Sequence, residues 1–282
     1  MRVTSLVENN RIEGRDDLDA EFGVSVHVEA NGQQILFDMG ASDAFARNAS
    51  SLGIDISAID LAVISHQHFD HGGGLEHFLG TNQNAPVYLR ESPVNDRWFK
   101  ALAVIKRPVG LDKELFDRFP DRLEFVGGMR VIATGIYLLT SIGSTHPRPR
   151  GNKRLFEESN GILSRDTFEH ELIMVIHEED GMVVFTGCSH NGILNLIDAA
   201  TARFPRVPVK AVFGGFHFIG LPFYNSMAAS RIEVRDIGFR IMEKVRGTVF
   251  TGHCTGEKAF EILGDVMGDA LQPFPTGTSV EI

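Results

Sequence analysis

The run Leu61-Ala62-Val63-Ile64-Ser65-His66-Gln67-His68-Phe69-Asp70-His71-Gly72-Gly73-Gly74 carries more information than any other part of the chain. Its first four residues are apolar and read as a buried strand. Three histidines and an aspartate then fall within six positions, out of eleven histidines in 282 residues. Packing gives no reason for such a string at a strand end. Along an extended chain, alternation puts His66, His68 and Asp70 on one side. The glycines at 72–74 permit a turn that brings His71 round to them. Neutral imidazoles and a carboxylate converging in this way make a ligand set for Zn²⁺ or a similar first-row metal.

A related pattern of apolar strand, glycine and histidine recurs three times further on. It is seen in Phe185-Thr186-Gly187-Cys188-Ser189-His190, in Phe213-Gly214-Gly215-Phe216-His217 and in Phe250-Thr251-Gly252-His253. Parallel or mixed sheets deliver functional groups at one end of their strands. Three more histidines arriving there would join the cluster at 66–71 in one cavity.

Between these points the chain alternates strands and helices. Strands are expected at Met1 to Val7, at 20–29, at 34–38 after the turn signal Asn31-Gly32, at Ile59 to Ile64 and at Val87-Tyr88-Leu89. Further strands follow at 172–176, 182–186, 209–213 and 248–250. Helices are expected from Ser42, as a possible N-cap, to Leu52, from Leu75, and at 192–203, 232–245 and 257–263. The order is strands, then helix, in two successive halves, which suits packed sheets flanked by helices. Residues from about 90 to 160 are less regular and rich in Pro and charge. They read as an insertion or lid on a single domain spanning 1–282, with no linker dividing it. Such loops often set specificity.

The composition is that of a soluble protein, with 43% hydrophobic and 23% charged residues. No apolar run approaches the roughly 20 residues that span a bilayer, and the N-terminus lacks the pattern of a signal peptide. A cytoplasmic protein without membrane contact is expected. A formal net charge of −10 argues against a general nucleic-acid surface. It leaves room for a local basic site, and Lys106 and Arg107 would suit a phosphorylated small-molecule substrate. The two cysteines, Cys188 and Cys254, each lie close to a histidine, which suggests metal chemistry or a reduced thiol more than a disulfide. His217 is the histidine best placed to contact substrate or protonate a leaving group. His27, His77, His146 and His177 are given no role.

The H-x-H-x-D-H string resembles the signature of the metallo-β-lactamase superfamily. That resemblance implies an α/β fold, an αββα sandwich of two mixed sheets flanked by helices. It implies two divalent ions, zinc first, with iron and manganese as alternatives. One ion would be held by His66, His68 and a later histidine, either His190 or His170, because the usual proline-glycine-histidine segment is missing. The other would be held by Asp70, His71 and His253. Cys188 stands where the bridging aspartate is usual, and is either a thiolate ligand or a packing residue. Asp38 matches an early aspartate that supports the ligand loop.

Residues 6–10, 21–25, 187–193, 214–218 and 253–256 together resemble a subgroup described as dihydropterin-aminobenzene phosphate synthase-like, many of whose members are called metal-dependent hydrolases. The implied function is hydrolysis of an ester, phosphodiester or related bond by a metal-activated hydroxide oriented by Asp70. Two alternatives stand beside it. One is a transferase joining a dihydropterin-methyl group to an aromatic amine, and the other is a metal-binding or sensing protein without turnover.

Overall fold

The computed structural model describes residues 1–102, 104–221 and 226–282. The chain resolves into two compact units. The first comprises residues 1–127, 154–170 and 275–282, and the second comprises 128–153 and 171–274.

The main sheet of the first unit has seven strands in the order β18 (Ser279–Glu281), β1 (Arg2–Val7), β2 (Ser25–Ala30), β3 (Gln33–Phe37), β4 (Leu61–Ile64), β5 (Val87–Arg90) and β8 (Leu123–Val126). β2 and β3 form a hairpin across Asn31-Gly32. Both of these residues take the left-handed conformation that a tight two-residue turn needs, with φ of 51° and 77°. β3, β4, β5 and β8 run parallel, so β3 and β4 both end at one edge, where Asp38 and Ser65 follow. One face of the sheet is packed by helices α1 (Ala44–Ser51), α3 (Leu75–Thr81) and α4 (Glu114–Arg118). Phe45, Phe78 and Leu79 there meet Leu36, Ile64 and Val87 in a continuous apolar core. Ser42 is not the N-cap of α1. That place falls to Asp43, while the Ser42 hydroxyl donates to Glu21.

A second sheet in this unit orders β12 (Ile162–Arg165), β11 (Leu155–Ser159), β6 (Asp96–Ala101) and β7 (Ile105–Pro108). All its pairings are antiparallel. Part of the stretch read as irregular is therefore regular sheet. Lys106 lies on β7 with its ammonium 3.8 Å over the Trp98 ring and 3.1 Å from Glu158, so that cation is already engaged.

The second unit also has a seven-stranded sheet, ordered β17 (Leu271–Pro273), β16 (Val245–Thr251), β15 (Val209–Phe213), β14 (Gly181–Phe185), β13 (Ile173–Glu178), β10 (Ile136–Leu139) and β9 (Arg130–Ala133). β14, β15, β16 and β17 are parallel. Their strand ends are in register: Phe185 pairs with Phe213, and Phe213 with Phe250. The three rings stack at 5.1 and 4.5 Å. That register explains why the glycine-histidine segments that follow emerge at one level. Helices α5 (Ile193–Arg203), α6 (Arg231–Lys244) and α7 (Glu257–Met267) cover one face through residues such as Leu196, Ile241 and Leu263. α6 starts in a capping box, with the Ser230 hydroxyl and Glu233 carboxylate each satisfying the other's backbone N–H. No described helix is long and apolar enough to cross a membrane.

Candidate metal centre

In the first unit the backbone bends at residues 65–67 after β4, is extended again at His68 and then turns once as a helix, α2 (Phe69–Gly72). Asp70 and His71 are therefore presented by a helical turn, and His66 by a bend beyond the end of β4, and not by strand alternation. The glycines serve close approach. A Cβ on Gly73 would lie 2.4 Å from the Ala41 carbonyl oxygen, and one on Gly74 would lie 2.4 Å from that of Met39. The rings of His66 and His68 are 4.6 Å apart and those of His66 and His71 4.2 Å apart. Asp70 Oδ2 is 3.9 Å from His71 Nε2. All four side chains are buried.

Asp38 organises this group. It sits at the end of β3 with φ of 58°, an uncommon conformation for a residue with a side chain. Its carboxylate accepts from Ser65 N–H and from the Ser65 hydroxyl, both at 2.7 Å, and from His71 Nδ1 at 2.6 Å. The Ser65 hydrogen is thus spent on Asp38. His66 Nδ1, 2.9 Å from the same hydroxyl oxygen, must then be the donor in that pair. Both imidazoles are fixed with the proton on Nδ1 and the lone pair on Nε2, the form in which histidine binds metal through Nε2.

Behind His68 lies a buried network that the sequence did not signal. His170 Nδ1 accepts from Gln67 N–H at 3.0 Å. Its Nε2 faces both Asp166 oxygens at 3.2 Å. Both nitrogens of His170 are thus used within the protein, which suits support of the string more than ligation. Burial, with Arg97 nearby, lowers the His170 pKa to about 4, so the ring is neutral at pH 7. Burial opposes ionisation of Asp166, but His170 and His68 beside it outweigh that, and its carboxyl is held well below the usual range. Arg97 Nε completes the set 3.6 Å from Asp166. His68 Nε2 lies 3.8 Å from the same carboxylate, which leaves Nδ1 as that ring's other nitrogen.

In the second unit Cys188, His190 and His217 offer ligand atoms within 4.8 Å of one another, and Cys188 stands equally close to His253. The rings of His190 and His217 are 4.3 Å apart. Ser189, His217 and His253 all have positive φ, so three strand-end loops hold residues in a costly conformation beside one another. Asn152 orients His190: its amide donates to the His190 carbonyl at 2.8 Å, and its oxygen accepts from His190 Nδ1 at 3.0 Å. His190 is therefore also fixed with its lone pair on Nε2. The loop is clamped from below by Glu171, which accepts from His190 N–H, Asn191 N–H and the Asn191 amide at 2.7–2.8 Å. Burial raises the Glu171 pKa. Both cysteines are free and buried. Cys254 Sγ accepts from His217 N–H at 3.3 Å and lies against Gly215, so its side chain is occupied in holding the loop.

The donors present fit divalent metal: the imidazoles of His66, His71 and His190 with the proton on Nδ1, a carboxylate and a thiol, all buried. A sequence model of the metallo-beta-lactamase superfamily matches residues 18–192. The chain belongs to that superfamily. Among solved structures, Tm1679, a metal-dependent hydrolase of the beta-lactamase superfamily, superposes with a TM-score of 0.82 and 31% identity, covering 100% of this chain and 99% of that one. The 7,8-dihydropterin-6-methyl-4-(beta-D-ribofuranosyl)-aminobenzene-5'-phosphate synthase of Methanocaldococcus jannaschii is 28% identical over 249 residues, 83% of this chain and 80% of that protein. The anti-Pycsar protein Apyc1 of Saccharibacillus brassicae is 26% identical over 167 residues, 57% of this chain and 67% of that protein. The mixed α/β architecture, with helices flanking the sheets, is that of the metallo-beta-lactamase fold.

Proposed function

We propose that this superfamily member is a metal-dependent enzyme that hydrolyses an ester, phosphodiester or related bond of a small molecule, with two divalent ions held by His66, His68, Asp70, His71, Cys188, His190 and His253. The observation that carries the reading is the shared tautomer of His66, His71 and His190. Each is pinned at Nδ1 by Ser65, Asp38 or Asn152, the arrangement that metal-ligating histidines usually have. Divalent ions bound by these residues would supply Lewis acidity and a nucleophilic hydroxide near neutral pH.

The chain's own part is orientation and proton handling. Asp70, as a ligand, would orient the attacking water. His217, whose buried Nδ1 has no hydrogen-bond partner among the described residues, is placed to hold a proton for a leaving group. Buried surroundings at 66–71 and 188–190 exclude bulk water and strengthen each of these interactions. The protein works in the cytoplasm on a small molecule and not on nucleic acid.

The relative named as a synthase supports a second reading, transfer of a dihydropterin-methyl group to an aminobenzene. The test is a turnover assay on generic carboxylic esters and phosphodiesters, run beside a dihydropterin donor with an aminobenzene acceptor, using wild type and Asp70→Ala. Hydrolysis lost in the variant supports the first reading. Coupling without hydrolysis replaces it with the second. No turnover of either kind by a fully metal-loaded chain favours a binding role.

A further inference from the structure

The second unit contains a cavity of about 170 Å³ that none of the metal-ligand assignments uses. His217 forms part of its wall, so it adjoins the Cys188–His190–His217 group. Its chemistry is graded. The innermost residues, Phe216, Phe218, Ile193 and Leu194, are apolar and buried. The outermost include three exposed cations, Arg148, Arg150 and Arg240. A cavity of roughly 150 Å³ lined by apolar side chains accommodates one benzene ring, so this one is the size of a single ring.

Of these, Arg150 and Arg240 are held in place without being used up. Arg150 Nη2 meets Glu233 Oε1 at 2.9 Å. The other oxygen of Glu233 is committed to the Ser230 cap of α6. Arg240 Nε meets Asp236 at 2.9 Å. A guanidinium carries five N–H donors, and each of these pairs engages one nitrogen. The carboxylates therefore fix the two forks and leave the remaining donors for an oxyanion. The N-terminus of α5 also opens here, and no side chain caps it. The wall itself is rigid. Asn195 ties the 146–149 segment to α5 by accepting from His146 N–H and donating to the His146 carbonyl, both at 2.8 Å. Gly151 lies so close to His217 that a Cβ there would come within 3.0 Å of the ring.

We propose that this cavity is a subsite for a ring-sized apolar group bearing an oxyanion, with the ring against Phe216, Phe218 and Leu194 and the oxyanion on Arg150 and Arg240. It deepens the functional reading, and rests on it only for the statement that the molecule bound here is the one transformed beside His217.

The test is equilibrium binding of phenyl phosphate, benzoate, phenol and inorganic phosphate to the purified full chain, with and without chelator. Phenyl phosphate or benzoate should bind at least about tenfold more tightly than phenol or phosphate alone, and the tighter of the two names the oxyanion. Binding should persist in chelator. Arg150→Gln and Arg240→Gln should each weaken it about tenfold, the scale of one charge-assisted hydrogen bond, with metal content unchanged. Ile237→Trp, which fills the cavity, should abolish it.

Equal binding of all four probes would overturn the subsite. So would affinity that is indifferent to both arginine variants, or binding that disappears with the metal alone. A chain that binds aryl anions at these arginines yet turns over nothing keeps the subsite and refutes the functional reading. A chain that hydrolyses aryl phosphates with the same KM in both arginine variants does the reverse.

Discussion

Asp38 accepts three hydrogen bonds, two from Ser65 and one from His71, so one carboxylate sets both the exit from β4 and the tautomer of a proposed ligand. Asp38→Ala strands those donors in a buried place. It should cost about 3 kcal/mol of stability and lower metal affinity about 10–100-fold. Denaturant unfolding and a competitive chelator titration read the two effects, and unchanged affinity would refute the orienting role. His170 makes a pH prediction. Folded, it stays neutral down to about pH 4, whereas in the unfolded chain an ordinary histidine takes up its proton below about pH 6.5. Stability should therefore fall as pH drops from about 6.5 to 4, by about 3 kcal/mol from this group, and this group adds no further loss below that. His68, lowered by burial, contributes with the same sign. His170→Asn, which keeps an acceptor for Gln67 N–H, should flatten the Tm profile over that window in chelator-treated protein. An equally steep profile would refute the assignment. Asp38 was legible from its place after a strand and from the resemblance. Asp166, Arg97 and Glu171 were not, because Arg97 and Asp166 meet from different strands and loops far apart in the sequence, and the partners of Glu171 lie 19 and 20 residues away. Only burial distinguishes them from surface charge.

At the scale of elements, parallel strands explain why so much was readable. A strand that ends in glycine and histidine announces both its direction and its cargo, and the in-register phenylalanines at 185, 213 and 250 repeat that signal across three neighbours. The four-stranded sheet was only partly readable. Asn160-Gly161, both with positive φ, is a hairpin signal between β11 and β12 of the kind read at Asn31-Gly32. The strands are short and rich in charge, however, and β6 pairs with β11 across more than fifty residues, so nothing local marks that pairing. The helical turn at 69–72 was missed for a related reason, since four residues are too few to show a helical period. The glycines after it invite a paired test. A Cβ on Gly74 would meet the Met39 carbonyl at 2.4 Å, the Phe45 ring at 2.6 Å and the Ser42 carbonyl at 2.7 Å. Gly80, inside α3, has nothing within 4 Å. Gly74→Ala should destabilise by about 3 kcal/mol, and Gly80→Ala should stabilise by about 0.5–1 kcal/mol. Thermal melts of the two variants settle it, and like signs would contradict the close-approach account.

For the whole molecule, the superfamily was legible because its metal chemistry writes a dense local string, while specificity was not. The residues that shape the cavity in the second unit come from 146–150, 192–194, 216–218, 229 and 233–240, and no single stretch of sequence displays them together. The basic residues expected to meet substrate lay in the 90–160 stretch, Lys106 and Arg107 among them; of the arginines lining that cavity, Arg148 and Arg150 lie in that stretch and Arg240 lies outside it. The seven proposed ligands are likewise spread through the sequence from 66 to 253. Elemental analysis of metal per chain, on wild type and on Asp70→Ala and His190→Ala, tests the central claim most directly. The account predicts close to two divalent ions per wild-type chain and the loss of about one in each variant with the fold retained. Fewer than one ion in the wild type, or the same content in all three proteins, would contradict it.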